Sequence, residues 1–146
     1  MDRSVAMRLL CALALAATVL AVAGCGGTAS SAPGGRVIQV SERDFAISLS
    51  PRRISPGSVV FRVDNKGPDR HEFIVVRVPK GGLPLRTDGI TISEEKLASV
   101  TPGGLEPAES GAVRDLRLQL RPGTYEVFCN MSGHFMAGMH AKLVVT

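Results

Sequence analysis

The sequence predicts an all-β domain, a Greek-key antiparallel β-sandwich, with one long irregular insertion in which a short helix is expected. Three observations support this fold class. About seven short segments alternate apolar and polar residues at a period of two, helical periodicity is nearly absent, and Gly, Pro, Asn and Asp recur at short spacing as turn signals. Such a pattern is typical of two packed β-sheets.

Each predicted strand combines a period-two pattern with a turn signal at its end. In the clearest case Leu116, Leu118 and Leu120 alternate with polar residues before the turn at Pro122. The segment 71–78 is nearly continuous in apolar residues after Glu72, which indicates a central strand. The predicted strands cover residues 37–40, 45–50, 59–64, 71–78, 116–121, 124–129 and 140–146.

The segment 79–111 interrupts this regularity with many Gly and Pro residues. A short helix is expected over 93–100, because Glu94 and Glu95 would lie in its first turn, where the helix dipole favours acidic side chains. So long a connection in a small domain is usually functional or an insertion. We expect a flap on an edge of the sandwich.

The N-terminal segment predicts export. Residues 1–24 combine Arg3 and Arg8 with an apolar run, 9–23, that is too short and wrongly flanked for a membrane span. The run ends in Val-Ala-Gly-Cys25, which resembles a bacterial lipobox and predicts lipidation of Cys25. The alternative is an ordinary secretory signal with an incidental cysteine. In the lipoprotein reading, residues 25–35 form the lipidated Cys and a flexible tether, and residues 36–146 form the domain.

This organisation places the domain at the cell envelope, either anchored to the outer face of the cytoplasmic membrane or in the periplasm. It also leaves the folded part with a single thiol, Cys129, because Cys11 lies in the signal and Cys25 would be acylated. The formal net charge of the full chain is +4, and its basic residues are scattered. Nucleic acid is therefore not an expected partner.

Four residues form the candidate site: His71, Cys129, His134 and Met139. The Cys-x₄-His-x₄-Met spacing lies in one loop between two predicted strands, and His71 begins a different strand. Imidazole, thiolate and thioether together favour copper, and two His with one Cys and a weak axial Met are typical of blue-copper sites. Met136 is an alternative axial ligand, although the spacing and the preceding Gly favour Met139.

Together the motif Gly-Thr-Tyr-x-x-Phe-Cys129-x₄-His134-x₃-Gly-Met139 and the upstream Asn65-x-Gly-x₃-His71 resemble the cupredoxins, the blue copper proteins that include plastocyanin and azurin. The resemblance covers about residues 36–146. It implies one type 1 copper ion, with His71, Cys129 and His134 as equatorial ligands and Met139 as the axial one. It also implies a one-electron carrier with His134 as its electron port.

Several neighbours of these residues need an interpretation of their own. Phe135, Met136 and Ala137 would surround His134 with an apolar patch suited to brief docking. Glu72 follows His71, where plastocyanin and azurin have an Asn that braces the ligand loop, so Asn130 or Ser132 are candidates for that bracing role here.

The histidine count argues against an enzyme. Only three His occur, and after two ligate copper, His140 alone remains, which is too few for a second catalytic metal. His140 is expected to be an ordinary surface or half-buried residue. The first hypothesis is a monomeric electron shuttle that docks transiently with a redox donor and acceptor while a lipid anchors it to the membrane. The alternative is a copper-binding module for storage, delivery or sensing.

Overall fold

The computed structural model of the chain describes residues 35–146. The predicted signal 1–24, the lipidation site Cys25 and nearly all of the tether lie outside the described residues. Within residues 35–146 there is no helix with the length and hydrophobicity needed to cross a membrane. The elements are β1 (Arg36–Arg43), β2 (Ala46–Ser50), β3 (Arg53–Ile54), β4 (Gly57–Asn65), β5 (His71–Arg77), α1 (Glu94–Leu97), a 3₁₀ helix (Ala98–Val100), β6 (Gly103–Ala108), β7 (Val113–Leu120), β8 (Gly123–Phe128) and β9 (His140–Val145).

The described strands form two sheets, as the alternating patterns predict. One sheet has the order β2-β1-β4-β7, and the other has the order β3-β9-β8-β5-β6. The predicted β-sandwich is confirmed, although two strand pairs are parallel rather than antiparallel, β1 with β4 and β3 with β9. A period-two pattern shows which face of a strand is buried but not the direction of its neighbour, so the sequence did not indicate these pairs.

The first hairpin is longer than the pattern predicts. We expected strands at 37–40 and 45–50, whereas β1 continues to Arg43 and β2 begins at Ala46. Asp44 and Phe45 form the turn between them, and Phe45 has a left-handed backbone with φ of 60°. A bulky residue is rare in that conformation, and such outliers gather at functional sites. The turn lies next to the candidate site, as described below.

A hydrophobic core fills the space between the two sheets. It is built from the inward-facing residues of the strands of both sheets, and both sulfur-bearing residues of the candidate site, Cys129 and Met139, belong to it. Aliphatic burial of this kind is the main source of stability, at about 25 cal/mol per Å² of apolar surface removed from water. The buried rings of Phe61 and Phe73 pack on each other in this core, with centroids 5.4 Å apart.

The insertion covers a face of the second sheet, so the expected flap on an edge is corrected. Ile92 and Leu97 of the insertion pack against Ile74, Val76 and Phe128, which lie on the face of β5 and β8 turned away from the main core. The edge itself is occupied by β6, which also belongs to the segment 79–111 and was not predicted as a strand. Strand β5 is therefore buried on both faces, which explains its continuous apolar run and confirms its central position. The expected short helix is present as α1 and the following 3₁₀ helix.

Candidate metal centre

The predicted ligands converge at one end of the sandwich. His71, Cys129 and His134 each place one ligand atom so that all three atoms lie within 4.8 Å of one another. His71 and Cys129 are fully buried, whereas His134 is half-buried and reaches the surface. The rings of His71 and His134 meet edge to face, with centroids 5.3 Å apart. A single metal ion could therefore contact residues from two separate parts of the chain.

The ligand loop is closed by backbone hydrogen bonds between its own members. The N–H of Cys129 donates to the carbonyl of Met139 at 3.1 Å, and the N–H of Met139 donates to the carbonyl of His134 at 3.0 Å. Met139 is fully buried in the core beside Cys129, whereas the Met136 side chain is 55% exposed. Of the two candidate methionines, only Met139 lies in the same buried environment as the thiol.

His71 is positioned by a turn that Asn65 organises. The Asn65 side chain accepts a hydrogen bond from the N–H of Gly67 at 3.0 Å and donates to the carbonyls of Asp69 and Ala108, at 2.8 and 3.0 Å. Asn65 is itself fully buried, so these three bonds satisfy a side chain that would otherwise be costly to bury. They fix the path of the chain into β5, and a β-bulge between His71 and Phe73 follows at once.

The protonation states suit a ligand set. Burial raises the pKa of the Cys129 thiol to about 11, so the thiol is protonated at neutral pH and a metal would displace its proton. Burial, together with the nearby His71, lowers the pKa of His134, which keeps that imidazole neutral. Cys129 Sγ and His134 Nδ1 already lie 3.5 Å apart.

The hydrogen bonding of the buried His71 ring indicates that a metal belongs at this site. Nδ1 of His71 is buried and has no hydrogen-bond partner among residues 35–146, while Nε2 of the same ring lies 3.0 Å from Asp44 Oδ1. A buried polar atom without a partner costs roughly 1–3 kcal/mol. A metal bound at Nδ1 would remove that cost, so the residues present fit a soft transition metal held by nitrogen and sulfur.

Asn130, one of the two predicted candidates, takes part in bracing the ligand loop. Glu72 Oε1 accepts a 2.8 Å hydrogen bond from the N–H of Asn130. The Asn130 side chain in turn accepts from the N–H of Ile92 at 2.6 Å and donates to its carbonyl at 3.0 Å and to Glu94 at 2.7 Å. Asn130 therefore contributes, as expected, but it links the loop to the insertion, and Ser132 is exposed.

Sequence reasoning missed the contribution of the β1–β2 turn. Asp44 meets His71, and the Phe45 ring packs edge to face on His134 with centroids 5.5 Å apart. A possible signal was the polar and aromatic pair between two strands, but its contact with the site depends on tertiary structure.

The surface around His134 is apolar. Phe45, Met136 and Ala137 are exposed, and Phe135 is half-buried, where it packs on Phe128 and stacks on His140 at 4.7 Å. We call Phe45, Phe135, Met136 and Ala137 the apolar rim. His140 is exposed and lies 2.7 Å from Glu126 through Nδ1, so the expectation of a surface histidine is confirmed.

Of the comparisons with known proteins, only the search of solved structures finds matches. A scan against protein-family models finds no match for this sequence, and a search of curated proteins finds none. Solved structures do match. The chain is similar to auracyanin A, a "blue" copper protein from Chloroflexus aurantiacus, with 20% identity and a TM-score of 0.57, covering 77% of this chain and 100% of that one.

Two further structures have comparable similarity. Rusticyanin from Thiobacillus ferrooxidans has 16% identity and a TM-score of 0.52, covering 77% of this chain and 79% of that one. An azurin from Methylomonas sp. strain J has 18% identity and a TM-score of 0.52, covering 76% of this chain and 98% of that one. The chain therefore adopts the cupredoxin fold, with a His-Cys-His-Met set at one end of its sandwich.

Proposed function

We propose that this chain binds one type 1 copper ion and carries single electrons between redox proteins at the cell envelope. The observation that carries the proposal is the convergence of His71, Cys129 and His134 within 4.8 Å on a cupredoxin scaffold. One of the similar structures, auracyanin A, is described as a "blue" copper protein.

The donor set supports copper over other metals. His71 would bind through its unpartnered Nδ1, Cys129 through its thiolate and His134 through an imidazole nitrogen, with Met139 as a weak axial ligand. Two imidazoles, one thiolate and a distant thioether are the arrangement that electron-transfer copper sites use. When bound, copper would supply the Cu(II)/Cu(I) couple.

The chain's own packing supports rapid electron exchange. Cys129 and Met139 lie in the main core, and the loop that carries them is closed by the backbone bonds between Cys129, His134 and Met139. A site held on rigid, buried elements changes little between oxidation states, and a small rearrangement keeps the barrier to electron transfer low.

Docking would use the apolar rim. His134 is the one ligand that reaches solvent, and Phe45, Met136 and Ala137 are exposed around it. A small apolar surface favours brief association, because it gains little area and involves few directed bonds. We propose that a redox donor and a redox acceptor both use this surface in turn, and that the chain acts as a monomer.

Export and anchoring rest on the sequence of residues 1–25. We propose that residues 1–24 form a lipoprotein signal, that Cys25 carries the lipid, and that residues 26–35 form the tether. The domain would then be held at the outer face of the cytoplasmic membrane or in the periplasm. The tether would let the domain move between membrane-bound partners while it stays close to the membrane.

The second candidate function is copper storage, delivery or sensing without electron transfer. A delivery site benefits from exposed ligands that release the metal, whereas Cys129 and His71 are fully buried here. The same burial argues against an enzyme, since a substrate would reach only the His134 edge. We therefore favour the electron carrier.

A redox-cycling experiment separates the two candidates. The copper-loaded domain would be reduced and reoxidised repeatedly by soluble redox reagents in the presence of a copper chelator. A carrier completes many cycles with its copper retained. Loss of copper to the chelator within the first few cycles would contradict the electron-carrier proposal and favour delivery.

A further inference from the structure

The turn between β1 and β2 places the Asp44 carboxylate at hydrogen-bond distance from the imidazole ring of His71. Asp44 Oδ1 lies 3.0 Å from His71 Nε2, at hydrogen-bond distance. His71 is fully buried, and the Asp44 side chain is 29% exposed. The contact links two residues that are 27 positions apart in the sequence. It therefore depends on how the first hairpin packs over the site.

This contact determines which nitrogen of His71 is available to a metal. A carboxylate oxygen can only accept a hydrogen bond, so Nε2 must carry the proton and Nδ1 is left with its lone pair. Nδ1 is the atom without a partner in the described part of the chain. A carboxylate that accepts from the far nitrogen of a ligating histidine also orients the ring and increases its basicity.

A glycine makes room for the contact. A Cβ on Gly67 would lie 2.7 Å from Asp44 Oδ1 and 2.9 Å from His71 Nε2, closer than real Cβ atoms approach other heavy atoms. The backbone of Gly67 lies outside the left-handed region, so the requirement is for space rather than for conformational freedom. Gly67 is buried beside the two side chains, and its lack of a Cβ permits their hydrogen bond.

We propose that Asp44 is a positioning residue that fixes the tautomer of His71 and favours the oxidised, more positively charged copper ion. The inference rests on the proposed copper function. Its physical basis is that a negative charge one hydrogen bond away from a ligand stabilises Cu(II) more than Cu(I), and it does so through the ring as well as through space.

The test compares variants of the full domain loaded with copper. Asp44→Asn removes the charge but keeps an acceptor, and Asp44→Ala removes both. At a fixed applied potential, we expect the Cu(I) to Cu(II) ratio to rise about tenfold in Asp44→Ala, equivalent to about 59 mV for one electron, with Asp44→Asn intermediate. The affinity for Cu(II) should fall roughly 10–100-fold in Asp44→Ala.

Gly67→Ala provides an independent way to break the same contact, because it leaves Asp44 and His71 unchanged. It should shift the ratio in the same direction, and the Asp44→Ala/Gly67→Ala double variant should shift it no further than Asp44→Ala alone, since both changes remove one interaction. Additive shifts would show that the two residues act separately and would overturn the proposal.

Asp69→Asn is the matched charge control. Asp69 is exposed, and its carboxylate, like that of Asp44, acts electrostatically on His134. Loss of an exposed charge should change the ratio by less than about threefold, because solvent and salt screen it. A shift as large as that of Asp44→Ala would reduce the role of Asp44 to long-range charge and overturn the proposal.

A copper-free measurement tests the positioning role alone. ¹⁵N nuclear magnetic resonance of the apo domain should show the His71 proton on Nε2 in the wild type and in Asp44→Asn, and a mixture of tautomers in Asp44→Ala. The wild type could be coloured while Asp44→Ala still carries the His71 proton on Nε2 and changes the Cu(I) to Cu(II) ratio by less than about twofold. That result would contradict the role of Asp44 and leave the proposed copper function standing. A wild type that binds no copper overturns the proposed function and the inference together.

Discussion

Glu72 and Asn130, the residues that follow the ligands His71 and Cys129 in sequence, are joined by a 2.8 Å hydrogen bond from the Asn130 N–H to Glu72 Oε1. The bond ties the start of β5 to the end of β8 at the point where each supplies a ligand. Because a charge-assisted bond in a partly buried site is strong, it holds the two ligands at a fixed separation before any metal binds.

Removing the hydrogen bond between Glu72 and Asn130 should lower the stability of the copper-free domain and make the separation of the two ligands less fixed. Glu72→Ala leaves the Asn130 N–H without its acceptor, so we expect the free energy of unfolding of the copper-free domain to fall by roughly 1–3 kcal/mol in denaturant titrations. Glu95→Ala, at an exposed position of α1, is the control and should change stability by less than about 0.5 kcal/mol. Equal stability of Glu72→Ala and the wild type would show that the bond does not brace the loop.

Asn130 should tolerate Ala better than Asp. Its Nδ2 donates to the Ile92 carbonyl and to Glu94, so Asn130→Asp would place an acceptor against two acceptors, one of them charged. We expect Asn130→Ala to cost roughly 1–3 kcal/mol and Asn130→Asp to cost more, with both measured by denaturant titration. The reverse order would indicate that the side chain is oriented the other way.

The pH dependence of stability should reveal the buried carboxyl of Glu42. Burial raises its pKa from 4.5 to about 7, an effect that Arg114 opposes and Glu72 reinforces. Both carboxyl oxygens are buried without a hydrogen-bond partner among the residues that the structure covers. The folded state therefore binds this proton more tightly than the unfolded state does. The contribution of Glu42 to the free energy of unfolding is fully present below pH 4.5 and falls by about 3 kcal/mol as pH rises from 4.5 to about 7.

Glu42→Gln removes this titration. The difference in unfolding free energy between Glu42→Gln and the wild type, both copper-free, should shift in favour of the variant by about 3 kcal/mol between pH 4 and pH 8. Titrating groups that do not interact with Glu42 cancel in this difference. The exposed control Glu95→Gln should show almost no such trend. A difference that stays flat for Glu42→Gln would mean that Glu42 titrates normally.

The apolar rim is best tested at Met136, since Phe135 is packed on Phe128 and a charge there would disturb the fold. Met136→Lys should slow electron self-exchange at least about tenfold at low ionic strength, because two positive rims repel each other as copies meet. The visible spectrum should not change. Val37→Lys adds the same charge to an exposed position at the far end of β1 and should leave the rate nearly unaltered. An altered spectrum with normal exchange would contradict the docking role.

The ligands could be predicted because three of them lie in one loop of eleven residues, 129–139, between two strands, and their chemistry is specific to those residue types. His71 followed from its position at a strand start. Seven of the nine strands in residues 35–146 were predictable, but the short strands β3 and β6 were not, and the parallel neighbours of β1 and β3 were missed. Whether two strands pair in parallel depends on where the chain places them in the sheet. A local sequence pattern carries no information about that placement.

The supporting residues were hidden for a related reason. Asp44, Phe45 and Glu42 reach the site or the core through the first hairpin, whose contacts with β5 and the ligand loop are entirely long-range. In sequence Asp44 is an ordinary turn residue, and Glu42 has the polarity of a surface position. In the sequence, Glu72 was notable only as a departure from the family pattern. Its hydrogen bond with the Asn130 N–H can be recognised only in the folded structure.

A copper site built on Cys129 can be tested by the visible absorption and electron paramagnetic resonance spectra of the Cu(II)-loaded domain, residues 36–146, beside those of its Cys129→Ser variant. We predict an intense thiolate-to-copper band with narrow copper hyperfine splitting in the wild type and the loss of both in Cys129→Ser. A colourless wild type with ordinary tetragonal copper, or a spectrum unchanged by Cys129→Ser, would contradict the account.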